Sequence, residues 1–500
     1  MTAGTKFLII AFSFGMIAVS FLIGWWAKRK ITNVQSFFGG TGLLGPVTVG
    51  LSAMSGIASA FAIVGIPGIV YALGNSMTFW MLSSAAFALS FMVIGKKIRG
   101  MAELGPIASL GDISDLRFNN NKAIKILLSI VLFVGSIAYL AAQIDACSVL
   151  FGHLLGWSPM VAGFVIFGIL TLYMVLSGEV GGALTQAFQG FVMVVASLVL
   201  LISFFAITKG FGPVIEVVSN AGTVTSGELT KTFIPDSMNA YGFAPGTMAM
   251  AWMLIPILGC VGQPQVLVRM YGINDPTQMP KSGAIATVTH MVVGFFAVVV
   301  GYEALYLVGK GLIPPLSNGD QAIFAVADYI GVYAQLFVYA AILAAAMSSA
   351  SMFLSMSSTI LSRDLPDAFG IKVDPKKQIN ISRVTMIVLG ILSIIFALTS
   401  SEMVAILGTF GWGTLMSATF PVFIVGLLWK KATSKGVLSG LAVALVLNVG
   451  SLILSSTGFN WPGGLPWYVT VVAAAIVVTV FVSLFTKEEL DKRIEAVIDL

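Results

Sequence analysis

Apolar stretches long enough to cross a bilayer recur along the whole chain, and the basic residues between them alternate sides. A spanning helix needs about 20 apolar residues. By that length thirteen spans are predicted, near 6–27, 44–73, 76–95, 124–152, 158–177, 183–208, 246–268, 283–309, 333–361, 384–401, 404–428, 436–456 and 466–486. Of the 26 Lys and Arg, all but Lys6, Lys209, Lys231 and Lys310 fall on one set of alternate loops. That set includes Lys28, Arg29 and Lys30, the run from Lys96 to Lys125, Arg269 and Lys281, and Lys430, Lys431 and Lys435. The positive-inside rule therefore places the N-terminus outside and the C-terminus in the cytoplasm. One misassigned span would invert every later loop, and none is inverted.

Composition points the same way. Hydrophobic residues make up 58% and charged residues 9% of 500, which excludes a soluble globular class. The net charge of +5 belongs to loops beside acidic lipid headgroups, so no nucleic-acid partner is expected. The first span is read as a retained helix: its basic cluster follows the apolar run, whereas in a signal peptide it would precede it. Cys147 and Cys260 fall inside spans as small apolar residues, with no disulfide, zinc site or reactive thiol expected. About fourteen residues follow the last span, which leaves no room there for a signalling domain.

Two spans are interrupted. Residues 49–68 read VGLSAMSGIASAFAIVGIPG and residues 255–264 read IPILGCVGQP. Backbone freed by such breaks must face protein or water. Glycine and proline are also simply common in membrane helices. Breaks in corresponding helices of two oppositely oriented units, however, are the pattern of an inverted-repeat secondary transporter. The expected fold is all-α, with 13 transmembrane helices in a LeuT-like five-plus-five repeat. Its parts are an N-terminal extra helix with its loop (1–43), a first repeat (44–208), an extracellular loop (209–245), a second repeat (246–430) and two C-terminal helices with a short tail (431–500).

Residues 340–364, AAILAAAMSSASMFLSMSSTILSRD, place Ala345, Ser348 and Ser349 at helical spacing. Ser348 and Ser349 offer hydroxyl oxygens, and Ser55 and Ala58 at the nearby break offer carbonyls. A small hard cation needs oxygens. Such Ser, Ala and Gly runs equally let membrane helices pack closely.

These residues carry a resemblance. The chain resembles the sodium/solute symporter family across nearly its full length, and is most similar to its bacterial sodium/proline branch. The serine helix matches that family's ion-site helix without a gap. GWGTLMSATFPVFIVGLLWKKATSKGVLSG at 411–440 follows the family pattern through Trp412, Pro421, Trp429, Thr433, Gly436 and Gly440. GQPQVLVRM at 262–270 is similar to the proline branch, and VGIPG at 64–68 sets the register of the second span. The resemblance implies sodium held by the carbonyls of Ser55, Ala58 and Ala345 and the hydroxyls of Ser348 and Ser349. It also implies a mid-membrane substrate cavity touched by Ser59. Three departures stand out: Ile57 and Gln186 replace aspartates near the ion and on its cytoplasmic exit route, and Pro256 and Cys260 replace aromatic residues of the proline pocket.

A carboxylate in hydrocarbon costs about 2.5–3.5 kcal/mol on insertion scales, so Asp145 and Glu303 are candidates by default. Asp145 answers a substrate ammonium, takes a coupling proton, or snorkels to external water; for Glu303, near the outer boundary, snorkelling is expected. His290 is expected to be a packing residue, and His153 at a helix end carries no role. Tyr139, Gln143, Cys260, Gln263 and Trp412 complete the candidate lining with Ser59 and Asp145, and each also reads as ordinary helix packing.

No phosphate loop, metal-ligand cluster or nucleophile constellation accompanies them, so an enzyme is not expected. The expectation is sodium-coupled symport of a small polar organic solute, an amino acid or short carboxylate, by alternating access in a bacterial-type plasma membrane. The partners are that solute, Na+ and lipid, with no nucleic acid and no obligate protein partner. Two alternatives stay open: proton coupling (H+) through Asp145, and a solute receptor that does not transport.

Overall fold

The computed structural model of the protein describes residues 3–27, 29, 37–38, 40–399, 404–455 and 465–500; Lys28 and Lys30 of the basic cluster lie outside them, as do residues 456–464. Among the described residues eleven helices are long and apolar enough to cross a membrane, and Pro46–Ile57 with Phe61–Leu73 adds a twelfth span bent by 52°. The expected spans at 158–177 and 183–208 lie on one run of helix. Helical backbone runs from Pro159 to Thr208 but leaves helical geometry at Gly178 (φ 55°, ψ −167°).

The loops sort into two faces. On one, Leu44 donates its N–H to the Gly272 carbonyl at 2.9 Å, and Arg99 Nε reaches the Ile273 carbonyl at 3.2 Å. Arg117 bonds the carbonyls of Gly426 at 2.6 Å and Ala432 at 3.0 Å, and Lys430 pairs with Glu495 at 3.1 Å and Asp499 at 2.8 Å. This is the basic face. On the other, Phe243 donates to the Leu73 carbonyl at 2.9 Å, and Lys231, on an antiparallel hairpin of Thr223–Ser226 and Leu229–Thr232, donates to Tyr71 at 2.7 Å. The first broken span thus runs from the basic face to the other, and the Gly246–Gly272 span runs back.

Both interrupted spans are broken, though the second not where its first proline stands. Pro256 sits inside a continuous helix, Gly246–Gly262. The break is Gln263, extended at φ −65° and ψ 139°, before a new helix Pro264–Gly272. Proline clashes with a helical residue ahead of it, and Pro264 thereby opens the chain at Gln263. In the first broken span no proline stands at the gap. Helix Pro46–Ile57 ends as Ala58 turns to φ −78° and ψ 63°, and a π-helical turn restarts at Phe61.

Candidate ion and substrate site at the first helix break

Two N–H groups freed at the first break are satisfied by side chains. Phe61 donates to Ser59 Oγ at 3.3 Å, the geometry of an N-terminal helix cap. Ala60 donates to Gln143 Oε1 at 3.1 Å from the neighbouring helix Lys122–Leu155. Ser59 Oγ also shares a hydrogen bond with Tyr139 OH at 2.7 Å, while Gln143 Nε2 donates to the Tyr139 carbonyl at 3.2 Å. Tyr139 and Gln143, four residues apart, lie on one helix face. Three of the expected substrate residues therefore meet at the gap and hold it open.

The serine helix, Val332–Thr359, packs against the other side of that gap. Gly56 permits the approach, since a Cβ there would stand 2.7 Å from Met352 Cε. Ser348 Oγ lies 2.9 Å from the Ser55 carbonyl and 2.9 Å from the Ala345 carbonyl. Ser349 Oγ donates to Gly56 at 3.2 Å, one residue beyond Ser55, and Ala58 leaves the helix two residues later. All five expected ligands are buried from solvent. These two hydroxyls and the carbonyls of Ser55, Gly56 and Ala345 thus meet between two helices, at the C-terminal end of a half-helix.

An aromatic stack lies beside the break. Tyr139 and Trp412 stand parallel within 12° at 6.5 Å, Trp412 stacks on Trp80 at 5.5 Å, and Phe61 meets Trp80 edge-on at 4.9 Å. Gln263, exposed by the second break, donates Nε2 to the Trp412 carbonyl at 2.9 Å. Gly259 and Gly262 make room, because a Cβ on either would strike Trp412 at 2.6 Å or Phe420 at 2.5 Å. Cys260 is buried nearby, its thiol against the Ser83 hydroxyl. Among the described residues the indole nitrogen of Trp80 and Oε1 of Gln263 are buried with no hydrogen-bond partner.

Other expectations need correction. Asp145 does not join this cluster: two residues past Gln143 it lies on another side of its helix, half-buried. Glu303 does not snorkel; it is fully buried, with Ser203 Oγ donating to Oε1 at 3.1 Å. His290 needs no correction: it packs as expected, Nδ1 3.0 Å from Ser84 Oγ and its ring against Phe87. Arg269, counted above among basic loop residues, is 0% exposed. It pairs with Glu179 at 2.6 Å and bonds Gln186 Oε1 at 2.7 Å. Glu179 was missed because residues 178–182 read as a short loop, although a lone acid and Arg269 on the same predicted side are a legible pair.

A bundle of spanning helices, two of them broken in opposite directions around oxygens and aromatic rings, defines a secondary transporter of the broken-helix class, not an enzyme. The family model described as the sodium:solute symporter family matches residues 37–444, and the chain belongs to that family. Among its relatives, the osmoregulated proline transporter of Bacillus subtilis is 24% identical over 488 residues, 96% of this chain and 95% of its own length. Sodium/proline symporter 2 of Staphylococcus saprophyticus is 26% identical over 491 residues, covering 93% and 90%. Among solved structures, a substrate-bound outward-open Na+-coupled sialic acid symporter superposes with a TM-score of 0.75 at 17% identity, over 96% of this chain and 98% of that one. This last similarity shows a shared fold.

Proposed function

We propose that the protein is a sodium-coupled symporter of a small polar organic solute, an amino acid or short carboxylate, in a bacterial plasma membrane. The observation that carries the reading is Ser348 Oγ at 2.9 Å from both the Ser55 carbonyl, on the broken span, and the Ala345 carbonyl, on its own helix. A hydroxyl that donates to those carbonyls turns its oxygen to the ion when sodium enters the cradle between the two helices. Sodium held by Ser55, Ala58, Ala345, Ser348 and Ser349 ties the broken span to the serine helix. The rim of that same break, Ser59, Tyr139, Gln143, Gln263 and Trp412 beside Cys260, then receives solute, so ion binding prepares the solute site. Each sodium entering the cell contributes about 2.3 kcal/mol per 100 mV, and that drives accumulation.

In this reading the chain has thirteen spans arranged as two five-helix inverted repeats, with the basic face cytoplasmic and the N-terminus outside. Relatives named for proline transport make proline the first solute to try. Pro256 and Cys260, which stand in place of the proline branch's aromatic residues, favour a different small zwitterion or acid. The test is uptake of labelled amino acids and carboxylates into proteoliposomes under an imposed sodium gradient. Ser348→Ala with Ser349→Ala is expected to abolish sodium stimulation while the protein remains in the membrane; sodium dependence that survives the double substitution removes this site.

A further inference from the structure

One face of the serine helix carries hydroxyls beyond the ion cradle. Ser348, Ser351, Ser355, Ser358 and Ser362 follow one another at intervals of three and four residues, all buried, and run toward the basic face. Ser351 Oγ donates to the Ser348 carbonyl at 2.9 Å and accepts from Gln186 Nε2 at 2.8 Å. Gln186 Oε1 accepts from Arg269 Nη2 at 2.7 Å, Arg269 Nη1 donates to Glu179 Oε1 at 2.6 Å, and Glu179 Oε2 accepts from Ser355 Oγ at 2.6 Å. The ring is closed. It joins three elements: the helix that begins at Gly178, the second half of the second broken span, and the serine helix.

Immediately toward the basic face lies a cavity of about 30 Å³, room for about two waters, lined by Glu179, Ser355, Tyr271, Ala108, Ser109 and Asp364. The ring is its lid on the side of the ion cradle. A buried ion pair contributes little to stability against an apolar replacement of the same shape. Its value lies in having one satisfied arrangement, which fixes how the three helices sit together.

We propose that Arg269, clamped by Glu179 and Gln186, is the latch that shuts the cytoplasmic end of the ion path, and that Gln186 and Ser351 link it to sodium occupancy at Ser348. This rests on the sodium-symport reading. Sodium that holds the serine helix against the first break keeps Ser351 and Ser355 in register with Gln186 and Glu179, and the latch stays closed. When sodium leaves, the helix shifts, Glu179 and Arg269 part, and water enters from the cavity. Glu179 and Gln186, seven residues apart on one helix face, divide between them the charge and the link to the serine helix.

The test places a reporter cysteine in the wall of the cavity, which at about 30 Å³ is too small for a maleimide until the Glu179–Ser355 wall parts. Ala108→Cys is introduced into the full chain, whose own cysteines are buried and supply the blank, and inverted membrane vesicles are labelled with an impermeant maleimide in sodium or in potassium. With the latch intact, sodium slows labelling. Glu179→Gln keeps the size and the Ser355 contact but removes the charge; it is expected to raise the rate in potassium about tenfold and to abolish sodium protection. If Glu179→Gln fails to reach the membrane, Gln186→Leu, which breaks the link without unpairing a charge, is expected to abolish protection as well. Variants that label at the parental rate with protection intact overturn the latch, and a parent that ignores sodium overturns the sodium reading instead. A merely structural ion pair would lower the melting temperature and leave sodium protection unmoved.

Discussion

Buried polar atoms behave differently here according to whether they have partners. Ser59, Gln143 and Ser348 are buried because the backbone at the break needs them, and each is hydrogen-bonded. Glu303 is the contrast: Oε1 has Ser203, while Oε2 is buried with no protein partner. An unmet buried acceptor costs about 1–3 kcal/mol. Glu303→Gln, which removes the charge and can donate from the orphaned position, is therefore expected to raise the thermal midpoint and leave sodium-driven uptake within about twofold. A large loss of uptake at unchanged stability would make Glu303 part of the transport cycle. Ser203→Ala should lower the midpoint by leaving both oxygens unmet.

At the scale of elements, glycine decides how closely the two broken spans approach their neighbours. A Cβ at Gly259 would stand 2.6 Å from the Trp412 ring, which is itself stacked on both sides. Overpacking of this kind costs about 1–3 kcal/mol, so Gly259→Ala is expected to lower the melting temperature and to weaken solute binding together, measured by scanning calorimetry and by uptake affinity. Gly42→Ala, where no atom lies within 4 Å but φ is +70°, should instead cost only local backbone strain and spare uptake. Most elements were legible because apolar runs bounded by charge can do little else in a bilayer. The exact break was not: Pro256 and Pro264 look alike in sequence, but packing holds Ile255 helical and lets Gln263 open. The capping role of Gln143 was invisible for a related reason, since it joins helices far apart in the chain.

Across the whole molecule, charge orders the faces and oxygen orders the centre. Loops rich in Lys and Arg contact one another on one face, and Lys231 lies on the other. The serine hydroxyls proposed for the ion stand at a local spacing that one helix displays in sequence; the solute was not legible, since the proposed lining comes from four separate helices and its indole and amide groups suit many small polar molecules. The account stands or falls on sodium at the first break, and thermal unfolding measures this without knowledge of the solute. A ligand that binds only the folded state raises the midpoint with concentration. The full chain is predicted to gain stability as sodium replaces potassium at constant ionic strength, with no gain in the Ser348→Ala, Ser349→Ala variant. Equal sodium stabilisation of both proteins, or none in either, would contradict it.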